Sequence, residues 1–221
     1  MKFATVTLLL FNIICCKGFI LNGSLKWDKE DLVVCWEDTN ILEKEEREYL
    51  HHEVFDKWDK KVAIDFIGWN LCSDTDFPDI IISNLTNAPV INEQQYGGFT
   101  DFLGMPINGQ ANTISIFFKD CKNPVLSSGD LSRCHRNNRR MLLHEFGHVM
   151  NLLHEQSRKD TPLWCTKKLL ESGYEDQADL KEQEFIGPWS IDSIMNYCGN
   201  ATVPDVWDIL EVQKYYGVEW D

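Results

Sequence analysis

The sequence predicts an α+β fold: a mixed, twisted sheet backed by two long helices, followed by an irregular C-terminal lobe. Three observations predict it. Short apolar, β-branched runs crowd the first half of the chain, at residues 32–36, 61–69, 79–83 and 113–118. Two stretches, 41–59 and 137–148, read as helices. After His154 the pattern is irregular until residue 206. Strands, helices and an irregular tail in that order fit a sheet with helices packed against it.

Each element follows from its own residues. Residues 1–18 read as an export signal. Lys2 opens the segment, an apolar run over 3–16 is broken only by Thr5, Thr7 and Asn12, and Lys17 and Gly18 close it. That core is too short to span a membrane comfortably and has signal-peptide length. Residues 19–221 are expected to form one domain, long enough to bury a core. LVVCW at 32–36 is the first strand. In 41–59, Leu42, Tyr49, Leu50, Val54 and Trp58 share one helical face. KVAIDFIGW at 61–69 and DIIIS at 79–83 are the next strands, and TISIFF at 113–118 is another. Between them, 96–103 contains Gly97 and Gly98 and then alternates loosely. A helix is expected from about Asn137 through His148. A last helix, Val206–Tyr216, stops at Gly217.

Charge and cysteine content narrow the function. There are 35 Asp+Glu against 21 Lys+Arg, a formal net charge of −14. Such a surface repels phosphate backbones, so nucleic acid is not an expected partner. No later stretch is long and apolar enough to cross a membrane. Cys15 and Cys16 fall in the export segment. Cys35, Cys72, Cys121, Cys134, Cys165 and Cys198 remain. Six cysteines in an exported chain suggest up to three disulfides, with about fifteen pairings open. Their wide spacing, without a CxxC pair, argues against a cysteine metal site. The expected location is therefore extracellular or periplasmic. In a eukaryotic source, Asn22, Asn84 and Asn200 would head N-glycosylation sequons.

The chemistry sits in HEFGHVMNLLHE, residues 144–155. At about 100° per residue, His144 and His148 lie on one helix face, one turn apart. Two imidazoles so placed can point at one metal ion. A catalytic zinc needs a third protein ligand and one open position for water. His154 is the candidate. On a continued helix it would point away, so the helix must stop and the chain turn back. Asn151 is the expected place, because Asn tolerates a left-handed backbone. Zinc lowers the pKa of bound water to about 7. Glu145 can take the proton as water attacks a carbonyl and pass it to the leaving amine.

This segment resembles the HExxHxxGxxH signature of the metzincin zinc peptidases. HEQSRKD, residues 154–160, resembles the astacin branch, and SIMNY, residues 193–197, resembles the astacin Met-turn, SxMHY. The resemblance implies a metzincin-like fold with one zinc per chain. It implies that Met195 forms an apolar floor under the histidines. It also implies that Tyr197 binds zinc at rest and then swings away to stabilise the oxyanion. Glu155 would join a buried ion pair, while Arg158, Lys159 and Asp160 read equally well as a solvated charged face. The segment 96–104 could be an edge strand that takes up extended peptides by strand addition, or an ordinary sheet edge. Three residues depart from the pattern: Asn151 stands for Gly, Asn196 for His, and Cys198 follows Tyr197.

The expected function is a secreted zinc endopeptidase acting as a monomer on protein or peptide substrates. Two other readings stay open. One is an inactive binding module that keeps zinc for structure, against which the intact Glu145 counts. The other is a zinc hydrolase of non-peptide amides.

Overall fold

Apolar side chains alternate along the strands, with Phe66, Ile80 and Ile82 buried and Ile67 42% exposed, so one face of the sheet carries the core. The computed structural model describes residues 26–38, 42–85, 90–91, 94–95, 97–106, 109–119, 121, 130–172 and 187–217. The export segment, Asn22, Ile41 and Tyr96 lie outside the described residues. In chain order the strands are β1 (Asp31–Trp36), β2 (Asp65–Leu71), β3 (Ile80–Asn84), β4 (Val90–Ile91), β5 (Gln94–Gln95), β6 (Gly98–Thr100) and β7 (Asn112–Ile116). The helices are α1 (Lys44–Lys57), α2 (Leu131–Val149), α3 (Leu163–Glu171) and α4 (Val206–Tyr216).

The main sheet has the order β2-β1-β3-β7-β6. Its first four strands are parallel, and β6 closes one edge antiparallel to β7. The mixed α+β architecture is the one expected. In β1, Leu32, Val34, Cys35 and Trp36 are all buried. The strand expected over 61–69 begins four residues later. Asp59–Lys61 instead form a 3-10 turn, and the Asp59 carboxylate accepts the Phe66 N–H, fixing the start of β2. In the segment expected to alternate over 96–103, only Gly98–Thr100 pair as a strand.

The two long helices are α1 and α2. Buried Leu50 and Val54 face α1 inward, and Trp58 continues that stripe. Helix α2 starts six residues before the expected position. Asp130 caps it by accepting the Arg133 N–H at 2.9 Å, as Asp does at an N-cap. The first turns are polar, so apolar periodicity could not reveal them. Phe146 of α2 meets Phe66 edge-on at 4.6 Å, and the Trp58 indole N–H donates to the Leu143 carbonyl. The Trp27 indole N–H binds the Val149 carbonyl at the far end of α2. The C-terminal half of α2, which carries the histidines, is therefore fixed against sheet and loop.

Helix α3 was not expected. Its apolar Leu163, Trp164 and Leu170 are exposed and only Cys165 is buried, so it shows no core-facing stripe. All six cysteines after the export segment pair: Cys35–Cys72, Cys121–Cys134 and Cys165–Cys198. Native disulfides of this kind contribute about 2–4 kcal/mol each. Among the described residues no helix is long and apolar enough to cross a membrane. Of the sequons, Asn200 is exposed, while the Asn84 side-chain oxygen accepts the Phe118 N–H at 3.2 Å.

Candidate metal centre

The site is built at the end of α2. His144 and His148 stand one turn apart, and the helix then stops at Val149. Asn151 has φ +70°, the left-handed backbone its position requires. The Leu152 N–H reaches back to the Gly147 carbonyl and the Asn151 N–H to the His148 carbonyl. Those two bonds form a Schellman motif, which satisfies the last carbonyls of a helix. The turn sends His154 back toward its partners. It also aims the Leu152 carbonyl at His148 Nδ1, 2.7 Å away. The Ile194 carbonyl takes the same role for His144 Nδ1 at 2.9 Å.

A carbonyl oxygen can only accept, so both Nδ1 atoms carry the proton. Both Nε2 atoms then present lone pairs. His154 Nε2 lies 3.3 Å from that of His144 and 3.1 Å from that of His148. Three nitrogens about 2.0–2.1 Å from one tetrahedral zinc lie roughly 3.3 Å apart. The donor set, its spacing and its carbonyl supports therefore fit a zinc ion. Burial holds the rings neutral, as metal ligands must be. His144 falls to about 3 and His148 to about 4, and His154 falls well below the usual imidazole value. For His144 and His154 the neighbouring rings add to the effect of burial.

Glu145 is 3% exposed. Burial pushes its carboxyl up to about 7, and the Thr100 hydroxyl, donating to Oε2 at 2.7 Å, pulls the other way. The value lies close to neutrality, where a general base is effective.

The 193–198 turn underlies the histidines. Met195 is buried beneath α2, and its place depends on Gly147. A Cβ there would stand 2.5 Å from Met195 Sδ. The Met195 carbonyl accepts the Glu155 N–H, and the Tyr197 N–H donates to Gln156 Oε1 at 3.0 Å. The Asp208 carboxylate on α4 takes the Ser193 hydroxyl at 2.6 Å and the Ile194 N–H at 2.8 Å. The Tyr197 ring lies 4.4 Å from that of His154 and 5.4 Å from that of His144, with its side chain partly open to solvent. Asn196 is fully buried and closes the turn on itself. Its amide donates to the Ser190 carbonyl and its oxygen accepts the Cys198 N–H.

Glu155 lies in a buried ionic cluster. Its Oε1 accepts the Ser190 N–H at 2.7 Å and lies 3.5 Å from Arg158 Nε. Arg158 grips Asp160 with two bonds of 2.8 and 2.9 Å and donates to the Gly187 carbonyl. The solvated-face reading therefore fails for Arg158, which is buried, and stands for the exposed Lys159. Burial raises Glu155 to about 8, Glu211 to about 9 and Asp208 to about 7.

A second group, Glu46, Cys121 and His135, also clusters closely enough to suggest a metal. Cys121 is disulfide-bonded to Cys134 and offers no thiolate, so that group is not a ligand set. Two supporting residues carried no signal of their role in the sequence: Thr100 and Asp208 reach the site through tertiary contacts, whereas Gln156 and Ser193 lie within the two motif segments.

No family model and no curated protein matches the sequence. The fold is similar to the solved structure of myroilysin. The TM-score is 0.50 at 16% identity, covering 87% of this chain and 82% of that one. At that identity the likeness speaks for the fold.

Proposed function

We propose that the chain is a secreted zinc-dependent endopeptidase of metzincin type, with its motifs closest to the astacin branch. The observation that carries this reading is the convergence of three carbonyl-oriented or turn-positioned imidazoles, with Nε2 separations of 3.1 and 3.3 Å, beside a buried glutamate. The similarity in fold to myroilysin supports it. His144, His148 and His154 would hold one zinc per chain, which supplies a Lewis acid that polarises a carbonyl and acidifies water.

The chain's own groups do the rest. Glu145 accepts the proton of the attacking water and delivers it to the leaving amine. Tyr197 donates its hydroxyl to the carbonyl oxygen as negative charge grows there. Met195 supports the histidines from below. Strand β6, at the sheet edge, hydrogen-bonds the backbone of an extended protein or peptide substrate. Three disulfides support export to an oxidising compartment, with residues 1–18 as the signal. The chain acts as a monomer.

The test is zinc content together with cleavage of a denatured protein. The purified chain should carry about one zinc, and chelation should abolish cleavage. Glu145→Gln should retain zinc and lose about 10² to 10⁴ in rate. Full activity in metal-free protein would overturn the reading. Retained zinc without cleavage by the parent chain would favour a binding module.

A further inference from the structure

Strand β6 meets Glu145 in two places. Side chains two residues apart on a strand share a face, so positions 98 and 100 both turn toward α2. From position 100 the Thr hydroxyl donates to Glu145 Oε2 at 2.7 Å. At position 98 there is no side chain, and none would fit. A Cβ there would stand 2.8 Å from Glu145 Oε1 and 3.2 Å from both Cγ and Cδ. The intervening Phe99 is half exposed. One carboxylate oxygen is thus held by a hydroxyl, and the other occupies the space that a glycine leaves.

We infer that Thr100 is a positioning residue for Glu145, with Gly98 as the space that makes this position available. The inference rests on the peptidase reading and adds to it. Glutamate has rotatable bonds between backbone and carboxylate, and α2 alone fixes only the backbone. The hydroxyl fixes the far end. Because the partner lies on β6, the place of the base is set relative to the strand proposed to receive the substrate backbone. Base and scissile bond are then aligned through a single three-residue element. Misplacing a catalytic group by about 1 Å can cost on the order of 10²-fold in rate.

The test uses the full chain loaded with zinc and compares Thr100→Val, Thr100→Ser and Gly98→Ala. Thr100→Val keeps the shape and removes the donor. It should lower kcat about 10- to 100-fold, the worth of a hydrogen bond to a charged group, with KM changed less than about twofold and zinc content unchanged. Thr100→Ser should recover most of the loss. In a Glu145→Gln background, Thr100→Val should cost nothing further, whereas a merely structural defect would lower the residual rate again. Crystal structures of the metal-free variants supply a readout independent of turnover. The carboxylate should leave its place in Thr100→Val and Gly98→Ala and stay in Thr100→Ser. An unchanged kcat in Thr100→Val, or a Ser variant as poor as the Val variant, would overturn the inference while leaving the peptidase reading intact. An inactive parent chain would remove the peptidase reading, and with it the role assigned to Thr100.

Discussion

At the residue scale, the sharpest question is what Tyr197 does. Its ring packs on His154 and His144, yet its side chain is partly open to solvent. A residue needed only for packing would be more fully covered. Under the proposed mechanism its hydroxyl acts mainly in the transition state. Tyr197→Phe should therefore lower kcat by about 10² to 10³ and leave KM nearly unchanged, as loss of one oxyanion donor does. The retained ring should keep the fold and the zinc. Steady-state kinetics on the folded, zinc-loaded variant decides, and an unchanged kcat removes Tyr197 from the mechanism. The histidines and Glu145 were legible in the sequence because eleven residues of chain, 144–154, hold all four. Helical geometry then dictates which of them share a face. Thr100 was not legible, since its contact with Glu145 spans 45 residues. Gly147 was visible as a residue inside the motif, but its closeness to Met195 depends on how the later turn docks.

At the element scale, the turn after α2 has a double task. It ends the helix and supplies the Leu152 carbonyl that orients His148. The left-handed backbone at Asn151 is the hinge of both. Asn151→Ala should cost about 1–2 kcal/mol, the penalty for a Cβ in that conformation, and should weaken zinc binding. Asn151→Gly should stay close to the parent in both. Thermal unfolding of the metal-free chains, with zinc titration, would show it; equal behaviour of the Ala and Gly variants would remove backbone conformation as the cause. This stop could be read in advance because the third histidine demanded it. Helix α3 could not, because its apolar residues face solvent and a disulfide ties it down. The early start of α2 was hidden for a related reason. A capping Asp was present, but the exposed turn after it has no apolar rhythm.

At the scale of the whole molecule, an excess of acid is carried into the interior as well as over the surface. Burial, with Glu155 and Asp208 nearby, raises Glu211 from 4.5 to about 9. A carboxyl raised on folding favours the native state while it is protonated. That contribution is complete below about pH 4.5 and is lost as pH rises toward 9. Glu211→Gln cannot ionise. The variant-minus-parent difference in Tm should be small at pH 5 and grow toward pH 9, at roughly 2–4 °C per kcal/mol for a chain of this length. A difference that stays flat across that range would show that Glu211 does not change its protonation on folding.

The Asp208 clamp also bears on how long a molecule would last outside a cell. The last disulfide ends at Cys198, so the only covalent tie to α4 is the backbone that follows, where Asn200 and Val203 are exposed. The rest of its hold is noncovalent: Asp208, the buried Val212 and the Gln213 amide on the Lys61 carbonyl. One cut there by a protease would leave the Met195 turn covalently attached through Cys165 and leave α4 held by noncovalent contacts alone, free to dissociate. With Asp208 gone, Ser193 and Ile194 lose their anchor, and the carbonyl that orients His144 is released. A single nick that touches none of the histidines should thus act as an irreversible off-switch once α4 has left. Limited digestion with a broad-specificity serine protease should release a short C-terminal fragment on a non-reducing gel, and zinc should leave in step with it. A nicked chain that has shed α4 and still binds zinc as tightly as the intact one would show that the metal site outlives its clamp.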